Sequence, residues 1–230
     1  MKRILTYFKK RELVLWFSSL ICITISYLLF NNGSPLTLVA SLIGVTAIIF
    51  GAKGNPLGMF LMVVFSILYG IISYSFAYYG EMITYLGMTG PMSLFSLISW
   101  LRNPFNGNHA EVTVNHVTKK EYGFMSILTI LVTVLFYFIL AHFNTANLYP
   151  STLSVTTSFA AVYLTFRRSA YFSLAYALND TILILLWALA SFHDTSYIAV
   201  TTCFVAFLAN DLYAFVSWRK MAKNQSLTES

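Results

Sequence analysis

The chain has 230 residues, 58% hydrophobic, 17% aromatic and only 10% charged. A soluble domain is usually about 25% charged, so the polar side chains are too few to cover a water-facing surface and a soluble enzyme or binding module is excluded. The net charge of +6 would suit nucleic acid, but the basic residues fall in short clusters between apolar runs, which points to a bilayer and to no nucleic-acid partner.

Met1 to Glu12 is a basic head carrying Lys2, Arg3, Lys9, Lys10 and Arg11. The apolar run that follows, Leu13 to Phe30, outlasts the roughly 7–15 residues of a signal-peptide core and ends in Asn31-Asn32-Gly33-Ser34-Pro35 with no small-x-small cleavage site. A retained first membrane helix is expected. Further apolar runs cover 36–52, 56–78, 81–101, 122–142, 149–166, 170–192 and 196–218, each near the roughly 20 residues that cross a bilayer. The expected fold is an all-α integral membrane protein with eight transmembrane helices.

With Met1 inside, all 14 basic residues fall in the head, the turn at Lys53, the loop 102–121, the turn at Arg167-Arg168 and the tail. The opposite turns, 31–35, 79–81, 143–149 and 193–195, hold none. By the positive-inside rule both termini are cytoplasmic, in a multi-pass cell-membrane protein. Loop 102–121 is the one long connection. Pro104 and Gly107 interrupt it, Glu111-Val-Thr-Val alternates like a short strand, and it reads as a solvated connector. His109, His116 and Glu111 lack a second supporting motif, so no metal is assigned. Cys22 and Cys203 lie in apolar runs and read as packing residues; Trp16, Trp100 and Trp218, near span ends, read as interfacial anchors.

A shift of 118 positions superposes Ser99-Trp100 on Ser217-Trp218 and pairs Ala52 with Ala170, Tyr79 with Tyr197 and Leu94 with Leu212. Spans two to four thereby match spans six to eight, with span five as connector. The halves are parallel repeats, a recurring transporter arrangement with its site near midplane where they meet. The corresponding division is a head and first helix (1–35), a three-helix repeat (36–101), a loop and linker helix (102–148), a second three-helix repeat (149–220) and a tail (221–230).

The second half holds the membrane-buried acids. On span seven, Phe172, Tyr176, Asn179, Asp180, Leu183 and Trp187 recur at three- and four-residue steps, one helical face; Asn210 and Asp211 lie in span eight. Asp180 lies about 18 Å along the helix from Arg168, and Asp211 about 12 Å from Arg219, nearer the cytoplasm. Ser66 and Tyr69 share a face of span three. An ionisable group at that depth costs about 2.5–3.5 kcal/mol on insertion scales and marks a functional site. Pairing between helices is the alternative for Asp180, and interhelical bonding for Asn179 and Asn210. Glu81 suits a helix N-terminus. Neither a catalytic triad, a zinc motif nor a phosphate loop is present, so no catalytic residue and no cofactor is assigned.

These residues resemble the PnuC family of vitamin and nucleoside transporters. The resemblance rests on Lys53-Gly54-Asn55, Tyr79-Gly80-Glu81-Met82, Arg167-Arg168, Asp180 with Trp187, and Trp218-Arg219-Lys220, and covers about 36–220. It implies the semi-symmetric fold shared with SWEET proteins: two three-helix bundles and a linker, with an extra N-terminal helix. It also implies facilitated diffusion of nicotinamide riboside, trapping by cytoplasmic phosphorylation, and a homotrimer. Family members for that substrate carry Gln-Trp-x-x-Trp-x-x-x-Asn early in span seven, where this chain has Ser173, Tyr176 and Asp180. A (deoxy)nucleoside or another vitamin is the alternative cargo, and a membrane enzyme or sensor the alternative outside transport. With one acid near midplane and no relay of ionisable groups to both faces, transport is expected to need no ion gradient.

Overall fold

The computed structural model describes residues 7–30, 35–75, 79–145 and 147–229; Lys2, Arg3 and most of the 31–35 turn lie outside them. The helices are α1 (Lys10–Phe30), α2 (Pro35–Gly51), α3 (Pro56–Ser75), α4 (Tyr79–Thr84), α5 (Gly90–Leu101), α6 (Lys119–His142), α7 (Leu148–Phe166), α8 (Phe172–Ser191) and α9 (Tyr197–Glu229). A π-helical turn, Tyr85–Thr89, joins α4 to α5 into one broken rod, so the described chain forms eight rods. Five of them (α1, α3, α6, α8 and α9) are long and apolar enough to cross a membrane, and α2 is a shorter apolar helix of 17 residues.

Six rods close a ring: α2 packs on α3, α3 on α5, α5 on α7, α7 on α8, α8 on α9, and α9 back on α2. Outside it, α1 leans on α9 and α2, and α6 on α7. The sequence explains who stands outside. α6 buries only Phe136 and Leu140 and exposes Phe124, Ile127, Ile130, Val134 and Phe138, a face that hydrocarbon can cover. Cys22, on α1, is exposed as well, whereas Cys203 is buried; only the second packs inside the protein. The ring is tight where small residues permit it. A Cβ at Gly58 would meet the Gly51 nitrogen at 2.5 Å and the Ala47 carbonyl oxygen at 2.7 Å, so α2 and α3 approach to backbone contact only because Gly58 has none.

The basic clusters collect at one end of this ring, in a packed layer. Loop 102–121 is therefore not a solvated connector. Asn106 and Gly107, both at positive φ (47° and 75°), make the two-residue turn that suits a hairpin, and β1 (Pro104–Phe105) pairs antiparallel with β2 (Asn108–Val112). The Val112 N–H donates to the Gly54 carbonyl at 2.9 Å, and the Asn115 N–H to the Arg168 carbonyl at 3.0 Å. Both acceptors are residues at positive φ in turns that follow α2 and α7. Thr118 then caps α6, its hydroxyl accepting from the Glu121 N–H, and Glu121 pairs with Arg167. The tail belongs to the same layer: α9 continues to Glu229 because Gln225, buried, accepts from the Val114 N–H at 2.8 Å and donates to Glu111 and the Val112 carbonyl.

Trp100 and Trp218 are internal braces and not interfacial anchors. Both are fully buried, with ring centroids 5.2 Å apart. Trp100 Nε1 donates to the Thr165 carbonyl at 3.0 Å and Trp218 Nε1 to the Gly51 carbonyl at 2.8 Å. The first ties α5 to the end of α7, and the second ties α9 to the end of α2. Trp16 is half-buried and donates to the Thr46 hydroxyl, joining α1 to α2. Glu12, 2% exposed, accepts from the Lys9 N–H, Lys53 Nζ and the Tyr213 hydroxyl, fastening α1 to both the 51–55 turn and α9.

Candidate functional site

The six-rod ring encloses a narrow cavity of about 50 Å³, room for three or four waters. Its two walls differ in character. From α2, α3 and the π turn come Ile48, Met59, Met62, Phe65, Tyr85 and Thr89; from α7, α8 and α9 come Ser158, Asn179, Asp180 and Asp211, framed by Phe172, Tyr176, Phe204 and Phe207. Apolar walls with a few placed polar groups make a small-molecule site.

The two acids meet here. Asp180 and Asp211 are 3% and 4% exposed, and their carboxyls lie within hydrogen-bonding reach of each other. Counting from the nearest arginine set Asp211 nearer the cytoplasm; the antiparallel packing of α8 on α9 sets the pair side by side. The Oδ2 atom of Asp180 is buried with no hydrogen-bond partner. Among the described residues no Lys or Arg lines the cavity. An acid pair without a basic partner is suited to a cation, or to a group offering hydrogen-bond donors. Beside it, the Asn179 Oδ1 atom accepts from Ser154, Thr157 and Ser158 of α7 at 3.3, 2.9 and 3.0 Å. That fixes the amide and leaves its Nδ2 as the donor it can offer a ligand.

Of the residues singled out in the sequence, Phe172, Tyr176, Asn179, Asp180 and Asp211 come together around the cavity. Ser66 and Tyr69 stand behind the lining. The Ser66 hydroxyl donates to the Met62 carbonyl, and the Tyr69 ring packs 4.4 Å from Tyr85 and 5.5 Å from Phe65. Trp187 packs among Leu183, Cys203 and Tyr197, further along α8. Asn210 faces away from the cavity: fully buried, it donates to the Ser19 hydroxyl of α1 at 2.8 Å. On α9 the cavity face is Phe204, Phe207, Asp211 and Ala214, so Asp211 and not Asn210 is the inward polar residue.

Two contributions were missed. The hydroxyls of α7 were hidden in a run treated only as hydrophobic, although Ser151, Thr152, Ser154, Thr156, Thr157 and Ser158 crowd two turns of it. Tyr85 and Thr89 reach the cavity through the π turn, which closes with the Gly90 N–H on the Tyr85 carbonyl. Gly87, Gly90 and Pro91 within one apolar run were the available signal, since interrupted helices mark binding sites in transporters.

Residues 34–220 match the family model described as nicotinamide mononucleotide transporter. Two curated relatives bear the name nicotinamide riboside transporter PnuC. The one from Neisseria mucosa is 25% identical over 201 residues, spanning 86% of this chain and 76% of the relative. The one from Haemophilus influenzae is 25% identical over 213 residues, spanning 91% and 90%. The crystal structure of a vitamin B3 transporter PnuC superposes with a TM-score of 0.82 over 95% of this chain and 94% of that one, at 23% identity, a likeness of fold.

Proposed function

The chain belongs to the nicotinamide mononucleotide transporter family, and from that premise we propose that it carries nicotinamide riboside, or a closely related nucleoside, across the cell membrane by facilitated diffusion with alternating access. The observation that carries the reading is the buried Asp180–Asp211 pair in an aromatic-walled cavity at the centre of the ring. Nicotinamide riboside joins a cationic aromatic ring to a polyhydroxylated sugar. The carboxyl pair compensates the charge, Phe172 and Tyr176 flank the ring, and the Asn179 amide with the α7 hydroxyls takes the sugar or carboxamide. A cavity of about 50 Å³ is too small for a nucleoside, so loading requires the walls to part, as alternating access demands. Cytoplasmic phosphorylation then traps the cargo.

The parallel three-plus-one-plus-three architecture is part of the same proposal, with α2 to α5 (36–101) and α7 to α9 (149–220) as repeats, α6 as linker and α1 as the added helix. Its support is the reciprocal Trp100 and Trp218 bonds and the two positive-φ turns, Gly54 and Arg168, gripped by one loop. The tryptophans are 118 positions apart (218 − 100) and the turns 114 (168 − 54), so one gapless shift cannot serve the whole repeat; the second half carries one more helical turn between these points. All described basic residues lie at the hairpin end, and the positive-inside rule makes that end cytoplasmic, with both termini. Assembly as a homotrimer completes the proposal and is tested by the mass of the purified particle. Counterflow of labelled nicotinamide riboside in proteoliposomes tests the transport reading. Exchange supports it, binding without exchange makes the protein a sensor, and conversion without exchange makes it an enzyme.

A further inference from the structure

Away from the central cavity, at the basic end, α1, the 51–55 turn, the hairpin and α9 enclose a second pocket of about 560 Å³. Five cationic side chains line it: Lys9, Lys10, Arg11, Lys53 and Lys220. The two acids in its wall are already engaged. Glu12 holds Lys53 and the Tyr213 hydroxyl, and Glu111 accepts from Gln225. Lys9, Lys10, Arg11 and Lys220 are exposed and form no ion pair among the described residues. Helix α1 starts at Lys10, so the unpaired N–H groups of its first turn add partial positive charge at the same place. The floor is rigid: Tyr7 accepts from Asn55 at 3.1 Å, and Lys53 Nζ lies 4.7 Å from the Tyr7 ring centroid. On one side the pocket opens onto apolar surface. Val216 lines it and is 48% exposed, as is Leu212 one turn along α9.

We propose that this pocket is a binding site for a phosphate group, presented by an anionic lipid headgroup or by a phosphorylated nucleoside in solution. Four cations that form no ion pair among the described residues line one space, large enough for a phosphate with its substituents. Basic pockets of this kind beside membrane helices bind phosphate headgroups. The exposed Leu212–Val216 surface continues the pocket toward hydrocarbon, which favours the lipid source, since acyl chains can lie there while the phosphate meets Lys10 and Lys220. An occupant would bridge α1 to α9 and raise the melting temperature.

The test uses the full chain purified in neutral detergent, with native mass spectrometry and thermal melting as readouts. Three probes are added separately: a short-chain phosphatidylglycerol, the matching phosphatidylcholine, and adenosine monophosphate. Phosphatidylglycerol should bind and raise the melting temperature, and phosphatidylcholine should not. Lys10→Gln/Lys220→Gln, both exposed and outside the central cavity, should melt normally without ligand yet bind the anion roughly thirtyfold more weakly. Binding of phosphatidylglycerol alone assigns the site to lipid; binding of adenosine monophosphate, lost in the double variant, assigns it to soluble phosphate. Equal binding of the two lipids, no binding of either anion, or undiminished binding by the double variant overturns the proposal.

Discussion

At the basic end, Trp100 and Trp218 are buried with their indole N–H groups bonded, and Gln225 is buried with both ends of its amide engaged. About two helical turns along α9 from Trp218, the cavity holds Asp180 with a buried carboxyl oxygen that has no partner and no Lys or Arg in the lining among the described residues. A buried polar group left unmade costs about 1–3 kcal/mol, more when charged, a local cost at Asp180 that the bonded indoles and Gln225 do not carry. At the basic end the indole N–H groups bond α5 to α7 and α9 to the end of α2. In the cavity, one oxygen of Asp180 is left without a bond, and the proposed ligand would supply it.

That contrast can be broken from either side. The largest effect is expected at the brace. Trp218→Ala removes a fully buried indole and its bond to Gly51, and should cost about 3–5 kcal/mol of stability, read as a large fall in melting temperature or loss of folded protein; a melting curve like the parent's would show that the tryptophan pair does not hold the ring. Gln225→Ala strands the Val114 N–H and frees Glu111, for a loss of about 1–3 kcal/mol. Limited proteolysis should then cut the hairpin and tail first, and a tail as resistant as before would contradict the docking. Asn210→Ala should cost about 0.6–2 kcal/mol through its bond to Ser19 and leave nucleoside affinity unchanged. Weakened affinity at an unchanged melting temperature would put Asn210 in the site after all. The smallest effect is a null one: an imposed pH or sodium gradient should drive no concentrative uptake into vesicles, and accumulation above equilibrium would mean that the carboxyl pair carries a coupled cation.

Much of this is legible in the sequence. Run length marks the eight rods of the described chain, five of them long and apolar enough to cross a membrane, because a bilayer forces each span to satisfy its own backbone. The acids stood out because ionisable groups are rare at that depth. What stayed hidden depended on rotation and packing. Whether Asn210 or Asp211 faces inward is a matter of one residue, 100° of helix, and the sequence offers both as polar. Trp100 and Trp218 look like anchors because a tryptophan near a span end usually is one; their burial follows from the loop folding over them. The hairpin was half visible in Asn106-Gly107, yet its docking on Gly54 and Arg168 uses backbone groups, which carry no residue signature.

Asp180 is proposed as the carboxylate that meets a cationic ligand. Asp180→Asn keeps the shape of the cavity and removes the charge, so calorimetric titration of nicotinamide riboside into the purified variant tests it most directly. The expected result is folded protein with an equal or higher melting temperature and an affinity lower by about 1–3 kcal/mol, the scale of a hydrogen bond to a charged group. Parental affinity in a protein that melts earlier would make Asp180 a structural residue and rule out that role.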